Sequence, residues 1–266
     1  MSSGTKHEGT RNPRTLEEGE RVLVRAKEGE SYLLRLTRGT TLVDSLGVID
    51  LTPAIGAPEG VAIDIAGRKF HVYRPSLPDL ASQMHRRSQI ITPKDALALV
   101  YLAGVVPGSL VLEAGSGSGG LTLFLATYVG PAGHVVSYDR RPEHQKVARE
   151  NIERAGLAGR VTFREKDVTG GFEETGADAV ILDLPEPWDV LPSALSALRA
   201  GGHVATYVPT YNQLERSVRA LRTHGLQDVR ALESLVRGLH VGEGGTRPEF
   251  EMLGHTGFLA SGRKVD

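Results

Sequence analysis

The chain has 266 residues, 40% of them hydrophobic, enough for one large or two modest packed domains. Its 31 Lys and Arg against 32 Asp and Glu leave a net charge of −1, so the whole is not a basic nucleic-acid module and any RNA track must be local. There is no cysteine, which rules out disulfides, zinc–thiolate sites and cysteine nucleophiles together.

The first residues, MSSGTKHEGTRNPRT, have no apolar core and do not read as a signal peptide. Residues 1–19 are expected to form a disordered tail. No later stretch approaches a membrane span, and with the missing cysteines this predicts a cytoplasmic enzyme. Residues 20–75 read as a small β-rich domain, with strands over Arg21–Ala26, 32–36, Val61–Ile65 and 70–73 and Gly-containing turns at 27–30 and 66–69. Pro75 and Pro78 punctuate a boundary, and a helix over 80–87 leads into a second domain at 76–266. Residues 1–92 hold 13 basic and 11 acidic side chains, net +2, and the rest hold 18 and 21, net −3. Arg86, Arg87, Arg68, Lys69, Arg74 and Lys94 are therefore the candidates for RNA contact, against the plainer reading of each as a solvated surface charge. From Asp95 onward strands alternate with helices, the last helices covering 142–155 and 211–224, which predicts an α/β fold around a parallel sheet. Residues 256–260 are expected to add a final edge strand.

The first α/β turn carries L-E-A-G-S-G-S-G-G-L-T at 112–122, between the apolar run 110–112 and a helix over 121–128. Glycines at a strand-to-helix turn let a ligand approach the backbone, and the new helix presents unpaired N–H groups to it. Two patterns fit. Gly115, Gly117 and Gly120 make a dinucleotide G-x-G-x-x-G, while Glu113 with Gly115, Gly117 and Gly119 makes the acidic E-x-G-x-G-x-G loop of S-adenosylmethionine enzymes, with Ser116 and Ser118 inside it. Glu113 favours the second, because a carboxylate repels a pyrophosphate and suits a cationic methionine end. No Lys-Ser or Lys-Thr follows, so a P-loop is excluded.

The second strand, 134–138, ends in Asp139, placed to accept both hydroxyls of a ribose, which either cofactor has. The third, 160–166, ends in Asp167, a contact for an adenine amino group or an ordinary cap. The fourth, 179–182, runs into Asp183-Leu184-Pro185-Glu186-Pro187-Trp188, where proline stiffens the exit and holds Asp183. Pro185, Pro187, Trp188 and Tyr207 read as walls of a base pocket, although Pro187 and Trp188 also suit the start of a helix over 190–199. The nine histidines have no metal-ligand spacing; only His144, one helical turn after Asp139, faces the cofactor end.

Taken together, R-S-Q-I-I-T-P-K-D at 87–95, L-E-A-G-S-G-S-G-G-L-T, S-Y-D-R-R-P-E-H at 137–144, L-D-L-P-E-P-W at 182–188 and G-H-T-G-F-L at 254–259 resemble the tRNA (adenine-N1)-methyltransferases that modify adenosine 58 of the T-loop. The resemblance covers residues 68–264. It implies a Rossmann-like methyltransferase domain behind a small β domain, a homotetramer, and tRNA as substrate. It also implies S-adenosyl-L-methionine held by Ser118, Gly119, Gly120, Leu121, Asp139, His144 and Asp167, with Asp183 as the catalytic aspartate. The family often has Tyr or His before Pro-Lys-Asp, where this chain has Thr92. Adenine N1 has a free lone pair and gives a cationic product, so a carboxylate beside it suits the reaction. A methyltransferase for another RNA base, a nicotinamide-dependent oxidoreductase, and a catalytically inactive RNA-binding scaffold are the other readings.

Overall fold

The computed structural model describes residues 14–87 and 90–266, and the chain divides into two compact units between Gln83 and Met84. The first unit is built on β1 (Arg21–Ala26), β2 (Ser31–Arg35), β3 (Thr40–Val43), β4 (Gly47–Asp50), β5 (Val61–Ile65) and β6 (Arg68–Tyr73). An antiparallel sheet runs in the order β2-β1-β6-β5, and β3 with β4 forms a separate hairpin. Ala66 and Gly67 close β5 onto β6 with φ of 52° and 77°, the two-residue turn whose twist matches that of the strands. Val22, Val24, Ile63, Ile65, Phe70 and Val72 point to one side and make the core.

Two sequence expectations change here. The tail expected over 1–19 does not extend that far. Residues 1–13 lie outside the described residues, but Leu16 is fully buried in the core of this unit, its N–H donates to the Ala57 carbonyl at 2.9 Å, and Thr15 bridges to Pro58. The Leu16 side chain and backbone bonds on both sides of it, Gly56 N–H to Leu16 O at 2.8 Å and Gly19 N–H to Leu36 O at 2.6 Å among them, fasten this segment. The boundary also falls later than residue 75. Helix α1 covers Leu77–Ser82 rather than 80–87, opened by a capping box in which Ser76 and Asp79 satisfy each other's backbone N–H groups. Asp79 lies 3.8 Å from Arg25, and the Gln83 amide donates to Ser31 at 3.2 Å, so α1 belongs with the β-rich unit.

The second unit contains α2 (Pro93–Leu102), β7 (Leu110–Ala114), α3 (Gly120–Tyr128), β8 (His134–Asp139), α4 (Pro142–Arg154), β9 (Val161–Glu165), β10 (Ala177–Leu182), α5 (Pro187–Ala197), β11 (Leu198–Val208), α6 (Tyr211–Thr223), β12 (Gln227–Glu233), β13 (Leu239–Gly242), β14 (Gly245–Pro248) and β15 (Phe258–Arg263). Seven strands form one sheet in the order β12-β15-β11-β10-β7-β8-β9. β7 to β11 pair in parallel; β15 runs against both β11 and β12. Helices cover both faces, which is why the central strands read as unbroken apolar runs: Leu112, Val136, Val180 and Val204 are all buried. β15 is not the expected edge strand. It fills the gap between β11 and β12, and β12 takes the edge.

The strand order turns back between β7 and β10, and in an open α/β sheet the crevice at the carboxyl ends of such a pair is where a ligand fits. The glycine loop and the exit of β10 meet there. In the first unit, Leu16→Ala should lower stability by about 2–5 kcal/mol, the cost of emptying a core leucine site. Urea unfolding checks this; an unchanged midpoint would return residues 14–19 to the tail.

Candidate active site

β7 hands over to α3 through a turn in which Gly115, Gly117 and Gly119 have φ of 101°, 50° and 82°. Side-chain-bearing residues rarely adopt such values. Gly115 has a second reason to lack a side chain: a Cβ there would lie 2.2 Å from the Asp183 carbonyl oxygen. Strand register continues past the glycine, with the Gly115 N–H donating to Tyr138 O at 2.8 Å and the Asp183 N–H to Ala114 O at 2.8 Å. Three carboxylates are thereby set side by side, on Glu113 in β7, on Asp139 ending β8, and on Asp183 just past β10.

Each is held differently. Glu113 is fully buried, and its Oε2 accepts from Thr122 at 2.6 Å and from Ser137 at 2.5 Å, its register partner on β8. Its Oε1 is buried without a partner. Burial above all, with Asp183 and Asp139 nearby, pushes its pKa up to about 8. Asp139 is 6% exposed and accepts from the Gly117 N–H at 3.1 Å and the Arg141 N–H at 3.0 Å. Arg141 Nε and His144 Nδ1 stand 3.5 and 3.4 Å from it, the latter without hydrogen-bond geometry. Asp183 is half-buried; desolvation, then repulsion from Asp139, pushes it up to about 7 against the pull of Arg141.

A cavity of about 340 Å³ opens against Asp139 and Asp183, lined also by Gly115, Asp167, Pro185 and Val190 among others, with Glu113 behind it. Asp167 is at once wall and cap. Its Oδ1 accepts from the Thr169 N–H at 2.9 Å and hydroxyl at 2.7 Å, holding it below the usual carboxylate range, while Oδ2 looks to Arg140 at 3.9 Å. Ser116, Ser118, Gly119, Gly120 and Leu121 are buried behind the turn rather than on the cavity wall. A Cβ on Gly119 would come within 3.1 Å of Ala148 on α4, and one on Gly120 within 2.3 Å of Ile90.

Not every expected site residue is brought to the cavity. Pro187 is buried at the first position of α5, and Trp188 carries the guanidinium of Arg216 4.1 Å over its ring. The helix-start reading of these two residues therefore describes them, and Trp188 does not line the cavity. Tyr207 is 9% exposed at the end of β11, its hydroxyl beside Asp95 and Thr256; it too lies off the cavity wall but within the field of Asp183. Arg86 and Arg87 are exposed, with Ser88 and Gln89 outside the described residues. Arg68 and Arg74 are paired with Glu30 and Glu20 at 2.6 and 3.0 Å, and Lys94, its side chain 15% exposed, is turned onto Asp95 at 2.8 Å rather than out toward an RNA. Sequence reasoning missed Thr122, Ser137, Arg141 and Asn151. The Asn151 amide accepts from the His85 N–H and donates to the carbonyls of His85 and Ser118, at 2.8 to 2.9 Å, tying His85 to the glycine turn. Only a strand alignment pairing Glu113 with Ser137 would have pointed to any of these.

A family model described as the GCD14 subunit of the tRNA methyltransferase complex matches residues 70–247. A protein of Methanocaldococcus jannaschii, named tRNA (adenine(57)-N(1)/adenine(58)-N(1))-methyltransferase TrmI, is 33% identical over 245 residues, 82% of this chain and 86% of its own. The tRNA (adenine(58)-N(1))-methyltransferase TrmI of Thermus thermophilus is 40% identical over 208 residues, 78% of this chain and 82% of its own. A crystal structure from Thermotoga maritima, described as a SAM-dependent O-methyltransferase, superposes with a TM-score of 0.79 at 33% identity, covering 95% of each chain. With the glycine turn and the acids of β7, β8 and β10 in one α/β sheet, and with two thirds of its length under the family model, this chain belongs to the GCD14 family of tRNA methyltransferase subunits.

Proposed function

We propose that this protein transfers the methyl group of S-adenosylmethionine to N1 of adenosine 58 in the T-loop of tRNA. The observation that carries the reading is Asp183, a half-buried carboxylate on the cavity wall whose pKa near 7 marks a site short of positive charge. Family membership and the names of the two TrmI relatives support the same substrate. The residues fit the cofactor: Glu113 leaves one buried oxygen with no partner among the described residues, and Asp139, Asp167 and Asp183 on the cavity wall favour a cationic ligand and oppose a pyrophosphate. That argument also sets aside the nicotinamide reading. Bound there, S-adenosylmethionine supplies an electrophilic methyl on a sulfonium.

In this reading Asp139 takes the ribose hydroxyls with oxygens already oriented by Gly117 and Arg141, and Asp167 takes the adenine amino group. The turn from Gly115 to Gly119 and the start of α3 at Gly120 and Leu121 shape the methionine end with Glu113, with Ser116 and Ser118 supporting the turn from behind, and His144 closes it over Asp139. Asp183 accepts a hydrogen bond from N6 of the target adenine, keeps N1 in line with the methyl, and stabilises the charge that grows on the ring. N1 needs no base, because its lone pair is free. Pro185 confines the base after it leaves the T-loop, Tyr207 backs the site from behind Asp183, and Arg86 and Arg87 meet phosphates. Trp188 acts from behind, through the start of α5.

Assembly and place belong to the same reading. Leu235, Val236, Leu239, Val241, Phe250 and Leu253 are all more than half exposed along residues 234–256, apolar surface that a homotetramer would cover. A cytoplasmic location follows from the tRNA substrate. No helix among the described residues is long and apolar enough to cross a membrane.

Mapping methylated nucleotides in unmodified tRNA treated with the purified protein tests the assignment; a ribose O-methyl product, or none, would overturn it, and the map also reports whether adenosine 57 is modified. S-adenosylhomocysteine should bind where NAD does not. Asp139→Ala should weaken that binding by about tenfold or more, since hydrogen bonds to a charged acceptor are lost. Asp183→Ala should bind cofactor and tRNA yet transfer methyl at least about a hundredfold more slowly in single turnover. Because Asp183 must be ionised, kcat/KM of the wild type should rise as pH increases through about 7. Glu113 gives a stability signature. Its folded pKa of about 8 lies above the ordinary 4.5, so its contribution is full at low pH and lost as pH rises through 8. Thermal denaturation of the ligand-free protein should show wild type losing stability relative to Glu113→Gln from about pH 5 to pH 8; parallel curves would mean that Glu113 is already ionised.

A further inference from the structure

Between β12 and β15 the chain leaves the sheet, forms the exposed β13–β14 hairpin, and returns. The two ends of this excursion are fastened at one ammonium. Lys94 Nζ donates to the Ser234 carbonyl at 2.6 Å, to Thr256 Oγ1 at 2.6 Å and to Asp95 Oδ1 at 2.8 Å. Asp95, in the first turn of α2, is fully buried; its Oδ2 accepts from Thr256 at 2.6 Å and from Thr92 at 2.8 Å. The Tyr207 hydroxyl is directed to the same group, beside Asp95 and Thr256, and its ring lies so close over Gly257 that a Cβ there would come 2.3 Å from Cζ. Tyr207 is thus fixed at three points: by β11, by the bare backbone of Gly257, and by Asp95. Its other side feels Asp183.

A buried acid that did nothing but anchor α2 would need only its lysine. This one commits its second oxygen to the residues that orient a tyrosine next to Asp183. We propose that Asp95 is a positioning residue for methyl transfer, acting through Tyr207, with Lys94 as its counter-ion and as the tie that closes the base of the 234–256 excursion. The inference rests on the reading of Asp183 as the group that holds the target adenine. Lys94 has an electrostatic role as well, since it neutralises Asp95 and the cluster then adds no net negative charge beside Asp183. Thr92 in turn has a role in this chain that needs no aromatic ring, because its hydroxyl completes the shell of Asp95.

Four variants separate the possibilities: Asp95→Asn, Thr256→Val, Tyr207→Phe and Asp183→Ala, each assayed for S-adenosylhomocysteine affinity, tRNA affinity and single-turnover transfer to unmodified tRNA. Asp95→Asn should keep both affinities within about twofold and lose about tenfold to a hundredfold in transfer rate, the range expected when a group beside the reacting atoms is displaced by about 1 Å. Asp95→Asn combined with Tyr207→Phe should be no slower than the slower single variant, because both act through one hydroxyl. Where Asp95→Asn fails to fold, Thr256→Val with Tyr207→Phe carries the same comparison. A transfer rate within twofold of wild type in the Asp95 or Thr256 variant while Asp183→Ala is slow would overturn the positioning role and leave the catalytic reading standing. Multiplying effects of Asp95 and Tyr207 would overturn it as well. A near-normal rate for Asp183→Ala with slow Asp95→Asn and Tyr207→Phe would instead remove the Asp183 reading and leave Asp95 acting through Tyr207 alone.

Discussion

Where Gly115 passes the carbonyl of Asp183, two strands of the sheet come closer than any residue with a Cβ allows, and the rest of the site follows from that approach. It lets β7 and β10 keep their register to the very end, so that Asp139 and Asp183 finish level with Gly115 on the strands to either side of it, with Glu113 two residues further into the sheet. A side chain at 115 would push the β10 exit outward and separate the acids. The glycine is therefore less a ligand contact than a spacer between strands, and its positive φ is what turns the chain away before the two backbones collide.

Bringing three carboxylates together in a partly dry crevice is unfavourable for an empty fold: burial first, and mutual repulsion after it, raises the pKa of Glu113 and of Asp183. The protein relieves it locally. Thr122 and Ser137 hydroxyls serve Glu113; backbone N–H groups and Arg141 serve Asp139. What is left over is an affinity for positive charge. A cationic ligand, or a base that becomes cationic as it reacts, relieves the remainder, so the same arrangement favours both the binding and the chemical step.

Much of this was legible in the sequence, for physical reasons that differ by residue. β7, β8 and β10 are covered on both faces, so they appear as apolar runs ending in acids, and the glycine turn is local by nature. Long-range partners were not legible. Lys94 meets Ser234 and Thr256 across 140 and 162 residues, and nothing near Pro-Lys-Asp in sequence announces it. Trp188 fits a pocket wall or a helix start equally well until the side of α5 facing Arg216 is known. Leu16 is one apolar residue in a polar stretch, below the threshold of any periodicity. The β13–β14 hairpin is exposed on every residue and so carries no burial pattern to detect.

The placement of β15 has a consequence for how the sheet is assembled. β12 pairs with β15 alone, and β15 separates it from β11. When the chain is made in order, β11 and α6 exist before the strand that must lie beside them, and β12 has nothing to pair with until the excursion over 234–256 has been completed and the chain has come back. During that interval β11 is an open edge with unpaired N–H and C=O groups, the kind of template that recruits foreign strands. In the closed sheet the Lys94 clamp gathers Ser234 and Thr256 at one point and sets Phe258 opposite Val208, so the two ends of the excursion are held at the end of the gap nearest the acids.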